Sequence, residues 1–217
     1  MKKHLRYLLV PCLLLLSIPF ASAQISGGVN IGFGTAHVKS NGDGIDNSSF
    51  YPCIPGESSS CQPNPGLNGF LLGFGGDVML SKLFGFGGEI SFLPARGNYG
   101  PLQFRQTFYD FNGIVAPVRS KRATLKLMGG IGGAKTGFSY DSSSCIGNAI
   151  CTSSSESIGS ANHFQLHAGV GVEISLTEHL FIRPQFDFRY IPNFTDQFGS
   201  NVVPGGMLWI GFKSSSR

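Results

Sequence analysis

An all-β protein, an eight-stranded antiparallel up-and-down β-barrel that crosses a membrane, is the fold class this sequence predicts. Three observations predict it. The first is Asn162 to Leu176, NHFQLHAGVGVEISL, whose even positions (Phe164, Leu166, Ala168, Val170, Val172, Ile174, Leu176) are all apolar. Its odd positions (His163, Gln165, His167, Gly169, Gly171, Glu173, Ser175) are polar or glycine. Strand side chains alternate between faces, so this is one strand with an apolar face and a wet one. Globular strands run roughly 5 or 6 residues, whereas a tilted barrel strand needs roughly 9 to 11 to cross a bilayer. The second observation is that the same pattern recurs until eight candidate strands are found. The third is that the connections alternate between long and short.

Taken in order, the first strand, Ile25 to Val38, sets Ile25, Val29, Ile31 and Phe33 against Ser26, Asn30 and glycines. The second, Leu67 to Leu80, alternates Phe70, Leu72, Phe74, Val78 and Leu80 with Gly69, Gly73, Gly75 and Asp77. The third, Leu83 to Leu93, places Phe84, Phe86, Ile90 and Phe92 opposite Gly85, Gly87, Glu89 and Ser91. The fourth lies within Leu102 to Val115 and is irregular. Its apolar residues are even at Leu102 and Phe104, then odd at Tyr109, Phe111 and Val115. That pattern implies either a β-bulge that shifts the phase or a first few residues that belong to an outer loop. The fifth strand, Ala123 to Lys135, sets Ala123, Leu125, Leu127 and Ile131 against Thr124, Lys126 and glycines. The sixth is Asn162 to Leu176. The seventh, His179 to Tyr190, opposes Leu180, Ile182, Phe186, Phe188 and Tyr190 to Arg183, Gln185, Asp187 and Arg189. The eighth, Val203 to Phe212, turns Leu208, Ile210 and Phe212 outward.

The connections 39–66, 94–101, 136–161 and 191–202 alternate with 81–82, 116–122 and 177–178, at Gly, Pro and Ser-rich punctuation. Membrane barrels pair short inner turns with longer outer loops, so eight strands with both termini inside give four outer loops and three inner turns. A soluble sandwich or barrel also alternates, but its interior is apolar. Burying Asp77, Glu89, Lys126, Glu173, Arg183, Asp187 and Arg189 in an apolar core is costly. Turning the Phe- and Leu-rich face to lipid removes the conflict.

Lys2, Lys3 and Arg6 precede an apolar run from Leu8 to Phe20, and Ala21-Ser22-Ala23 form an A-x-A cleavage site before Gln24. Residues 1–23 are therefore expected to be a cleaved signal peptide. Pro11 precedes Cys12 where a lipidation signal needs a small residue, which argues against a lipoprotein. Loss of three basic residues lowers the formal charge from +4 to +1, and no basic run remains for nucleic acid. Beyond Ala23 no run of about 18 apolar residues remains, so no transmembrane helix is expected.

On these residues the chain resembles the small eight-stranded outer-membrane barrels of Gram-negative bacteria, such as the transmembrane domain of outer membrane protein A. The resemblance covers Gln24 to Phe212 and lies in pattern rather than in a catalytic signature. Its most specific element is Leu208-Trp209-Ile210-Gly211-Phe212, which looks like the aromatic-ended signal read by the barrel-assembly machinery, with Leu208, Ile210 and Phe212 carrying it. Lys213 to Arg217 follow as a short tail where family members often stop. The resemblance implies residues 24–212 as one barrel domain in the bacterial outer membrane, surrounded by its lipids.

The mature cysteines form two close pairs, Cys53/Cys61 and Cys145/Cys151, each in an outer connection. An exported chain reaches a compartment where disulfides persist, and short loops close at the least entropy cost. Disulfides within each pair are expected; the spacings do not suit zinc. His163 and His167 share a strand face but lie roughly 13 Å apart along it, too far for one ion. No metal or cofactor is expected, since the glycine runs precede no helix and so form no phosphate loop. Serines cluster at 142–144 and 153–155 without a nucleophile elbow, so no catalytic site is expected. Glu89 and Glu173 are expected to face Arg183, Arg189 and Lys126 in a lumen charge network that also includes Asp77 and Asp187. The resulting expectation is a non-enzymatic protein with a structural or surface-interaction role, its loops open to an extracellular partner. A narrow pore is the alternative, and an outer-membrane enzyme the third.

Overall fold

The computed structural model describes residues 25–38, 67–99, 102–146, 150–196 and 198–214. The expected signal peptide, Cys53 and Cys61 lie outside the described residues. The strands are β1 (Ser26–Val38), β2 (Leu67–Met79), β3 (Phe84–Phe92), β4 (Gly97–Tyr99), β5 (Leu102–Arg119), β6 (Ala123–Ile146), β7 (Ile150–Ser175), β8 (Leu180–Tyr190) and β9 (Val202–Lys213). Consecutive strands pair antiparallel except β3 and β4; β1 pairs with β9, and β3 pairs with β5, which closes the sheet. The three-residue β4 lies against the outer end of β5 and prolongs the wall begun by β3, so the ring has eight strands.

Closure removes the free edges within the ring, and the alternation there has only two destinations, lumen or surroundings. The outward set is apolar and open: Val29 is 66 % exposed, Ile31 59 % and Phe111 71 %. The inward set is buried, including Asp77, Glu89, Lys126, Glu173, Arg183, Asp187 and Arg189.

The three short turns share one device. In each, a Ser or Thr sits at the start and its hydroxyl accepts backbone N–H groups two and three residues on. Ser81 Oγ accepts from Leu83 (3.2 Å) and Phe84 (3.0 Å). Ser120 Oγ accepts from Arg122 (3.4 Å) and Ala123 (3.0 Å). Thr177 Oγ1 accepts from His179 (3.3 Å) and Leu180 (2.9 Å). These turns and both described chain ends lie at one end of the barrel, the inner end by the loop-length rule.

Two sequence expectations are corrected here. The stretch 136–161 is not a loop: β6 and β7 remain paired to Ile146↔Ile150, with one irregularity at Phe138/Ser139, so the connection shrinks to 147–149. Beyond the membrane neither face of a ribbon must be apolar, and a Ser-rich strand then reads like a loop. Cys145 and Cys151 are Cα partners near the tip of this ribbon. The fourth predicted strand, now β5, carries no bulge between Gln103 and Val115, where its register with β6 is unbroken; the irregularity falls between Val115 and Val118. Nor do its first residues leave the barrel. Phe104 and Phe108 point inward, 2 % and 0 % exposed, because the outer part of the lumen is apolar.

Candidate functional site

The lumen has two storeys. The outer one is apolar and centres on Leu71, Phe104, Phe108, Phe194, Phe198 and Trp209. Part of it comes from the connection 191–201, which folds inward instead of standing out as a loop. A 3₁₀ turn over Phe194–Asp196 follows Asn193, whose φ of 61° is one that Asn tolerates better than most residues. Phe198 N–H donates to Phe194 O (2.8 Å), and the Asn201 side chain accepts from Thr195 N–H (3.0 Å). Phe194 and Phe198 are thereby pressed together at 4.6 Å between ring centroids, with Phe198 edge-on to Phe104 at 5.5 Å. His163 lies edge-on to Phe194 at 5.9 Å.

Trp209 is the floor of that storey. The inward glycines around it provide the space it fills: a Cβ on Gly73 would stand 2.6 Å from the Trp209 ring. Beneath it the Arg183 guanidinium lies 5.6 Å from the ring centroid, a cation–π contact at the boundary between the storeys.

The inner storey is an ion-pair network. Arg183 donates to Asp77 (3.1 Å) and Glu89 (2.6 Å). Gln185 bridges Glu89 (2.8 Å) to Asp187 (2.7 Å). Lys126 reaches Asp77 (2.7 Å) and Glu173 (2.6 Å), and Lys213 closes the inner mouth on Glu173 (2.9 Å) and Ser175 (2.7 Å). Arg189 stands 3.3 Å from Asp110 and 3.8 Å from Asp187, and its guanidinium lies 5.0 Å from the Phe108 ring centroid. His167 Nε2 is 3.1 Å from Asp187 and Nδ1 is 2.7 Å from Asn112. Gln165 donates to Asp110. Five carboxylates against four cations come close to cancelling, which is what allows them to be buried together.

The strand pattern places these charges in one lumen without saying which acid meets which base. Arg189 meets Asp110 and Asp187, not Glu89 or Glu173, because strand stagger carries β8 past β5 at that height. Asp110 was missed by sequence reading: once the apolar residues of its strand were assigned to two phases, it had no fixed side. Asn112 was hidden for the same reason.

The charged side chains of the inner storey pair with one another, while several buried polar atoms, among them Arg183 Nε, Gln185 Oε1 and Trp209 Nε1, have no hydrogen-bond partner among the described residues. Both ring nitrogens of His167 are engaged by Asn112 and Asp187, so this His–Asp pair has no position left to activate a nucleophile. Among the described residues no group of three or more His, Cys, Asp or Glu could hold a metal ion. Leu208, Ile210 and Phe212 all point outward, with Ile210 43 % and Phe212 51 % exposed.

The comparisons with known proteins agree with this architecture. The profile of the outer membrane protein beta-barrel domain family matches residues 8–207. No curated protein matches the chain significantly in sequence. Among solved structures, Ail of Yersinia pestis, crystallised in complex with the heparin analogue sucrose octasulfate, superposes with a TM-score of 0.53 at 14 % identity. That match covers 88 % of this chain and 99 % of Ail. Neisserial surface protein A gives a TM-score of 0.48 at 10 % identity, over 89 % of this chain and 98 % of its own. The likeness to Ail shows the fold alone. With the profile spanning most of the chain, the protein belongs to the outer membrane protein beta-barrel family.

Proposed function

We propose that this is a non-enzymatic outer-membrane protein whose closed barrel serves as a rigid mount for its outer connections, with a structural or surface-interaction role. The observation that carries this reading is the double closure of the lumen: an apolar plug above and a neutralised ion-pair network below, with Trp209 1 %, Arg183 1 % and Arg189 2 % exposed. An eight-stranded barrel is only wide enough for side chains to fill its interior, and here they do. That leaves the outer end, where binding on rigid scaffolds usually resides.

Three further parts of the reading concern biogenesis. Residues 1–23 are removed on export, so the mature chain begins at Gln24; mass spectrometry of protein from outer membranes that finds Met1 retained would refute this. Leu208, Ile210 and Phe212 are read by the barrel-assembly machinery, so deleting Phe212 lowers the folded, heat-modifiable fraction on gels. The cysteines pair locally, Cys53 with Cys61 in the connection 39–66 and Cys145 with Cys151 across the β6–β7 ribbon.

The test of function is planar-bilayer recording on refolded protein beside cell-surface binding assays. Silence in the bilayer, with loss of surface binding on deleting 43–64 while the barrel still folds, is the expected result. Sustained conductance that changes with substitution of Glu173 or Arg183 would replace this reading with a narrow channel.

A further inference from the structure

At the inner mouth of the barrel, between the ion-pair network and the turns, lies a recess of about 210 Å³. Its floor is the lower end of that network, Asp77, Lys126 and Glu173, each already paired, and Lys213 stands beside it on Glu173. Its rim carries Arg119 and Lys121 from the β5–β6 turn and Glu178 from the β7–β8 turn. These three rim residues are exposed, and none of them forms an ion pair among the described residues.

Arg119 reaches the recess only through a break in its strand. The outward residues of β5 are odd-numbered, as at Tyr109 and Phe111, and an unbroken strand would turn Arg119 toward lipid. The extra residue between Val115 and Val118 reverses that phase. Val118 is then 60 % exposed opposite Leu125, while Arg119 pairs with Thr124, a buried residue of the recess wall. Bulges at barrel rims re-aim side chains in this way. Lys82 and Arg122 lie on the same arc of turns, which Ala116 N–H joins by donating to Leu83 O (2.8 Å). Both are exposed, but neither lines the recess.

We infer that this recess seats the C-terminal carboxylate of a peptide that reaches the inner mouth, with Arg119 and Lys121 holding the carboxylate. A guanidinium and an ammonium supply charge-assisted hydrogen bonds to an anion, and the other charges decide which anion fits. The lining holds four cations (Arg119, Lys121, Lys126, Lys213) and three carboxylates (Asp77, Glu173, Glu178). The surplus of one positive charge matches a single carboxylate, whereas a phosphate dianion would exceed it and face Glu178. Glu178 is instead an acceptor for an amide N–H behind the chain end, and Ser26 and Ser214 add hydroxyls. The recess is smaller than the roughly 300–1,000 Å³ of pockets that enclose drug-sized ligands, so it admits one end of a chain. The inference goes beyond a mounting role and concerns the opposite end of the barrel, so each reading can fail without the other.

The experiment titrates the full mature chain, refolded in an uncharged detergent, with N-acetyl-trialanine by calorimetry. The same peptide amidated at its C-terminus is the comparison, and it is expected to bind about tenfold more weakly than the free acid. The double variant Arg119→Gln/Lys121→Gln should weaken the free acid by about tenfold or more, since one charge-assisted hydrogen bond is worth roughly that factor. Lys82→Gln/Arg122→Gln removes the same charge from the rim outside the recess and should leave binding unchanged. Heat-modifiable gel mobility verifies that both variants fold. Absence of carboxylate-dependent binding overturns the inference, and so does an equal loss in the two double variants, which would mark a diffuse basic rim. Inorganic phosphate binding more tightly than the free acid overturns it as well. Trialanine with a free amino group separates two sources of the same chemistry. Tighter binding than the acetylated form marks a small zwitterionic peptide, and equal binding marks the end of a longer chain; either result upholds the carboxylate seat.

Discussion

Arg183 joins both storeys of the lumen. It neutralises Asp77 and Glu89 at once and underlies Trp209. Lys126 would still compensate Asp77 without it, but Glu89 would keep only the amide of Gln185. Removing one partner of a buried pair commonly costs about 3 to 5 kcal/mol, because the survivor is left charged and unpaired. Arg183→Met should therefore lower the urea unfolding free energy of the refolded barrel by about that amount. Adding Glu89→Gln should restore a large part of it, as the remaining charge is removed. Lys213→Ala is the control: Lys213 also bridges to a carboxylate, Glu173, but its side chain is 28 % exposed. Pairs open to solvent contribute about 0 to 1 kcal/mol. If Lys213→Ala costs as much as Arg183→Met, the lumen is wetter than its burial implies.

At the scale of elements, the ribbon formed by the outer halves of β6 and β7 makes the clearest claim. β5 accompanies β6 only as far as Ser139, and β8 pairs with β7 only as far out as Leu166, so the arms beyond stand as a two-stranded hairpin. Isolated hairpins are marginal in water. The Cα partnership of Cys145 and Cys151 offers a remedy, because facing antiparallel residues lie about 4.5 or 5.5 Å apart, within the span a disulfide bridges. Non-reducing digestion should yield linked peptides containing Cys145 and Cys151, and reduction should speed proteolysis within 140–157 while the barrel stays heat-modifiable. A link from Cys145 or Cys151 to Cys53 or Cys61 would refute it. The ribbon also marks where the sequence stops being legible. Inside the membrane, lipid outside and charge inside force a two-residue period, so the lumen-facing sides of Asp77, Glu89, Lys126, Glu173, Arg183, Asp187 and Arg189 could be read directly. Above the membrane that pressure vanishes and serines reveal no face. Within the outer storey it reverses: Phe104 and Phe108 are apolar yet inward, which scrambled the phase of their strand and concealed Asp110. Partner choice across the lumen depends on strand stagger, which no single strand encodes.

On the scale of the whole molecule, the plug and the network act in series along one axis. The plug is contributed in part by a connection, 191–201, while the network is built only from wall strands. The two closures can therefore be separated by mutation. Truncating Phe194 and Phe198 to Ala removes two rings that are fully buried, at a cost of about 3 kcal/mol or more each in a well-packed site. The barrel should still fold, since the wall ladder from β1 round to β3 is untouched. It should also remain silent in a planar bilayer, because Arg183, Glu89, Asp77, Lys126 and Glu173 still span the lumen beneath. Adding Arg183→Ala and Glu89→Ala should open a conducting path, as no long side chain then bridges from β8 to β3 at that level. The decisive comparison is the plug variant alone against the fourfold variant. Equal conductance would mean that the network does not close the barrel, and silence in both would place the closure in some other part of the lumen.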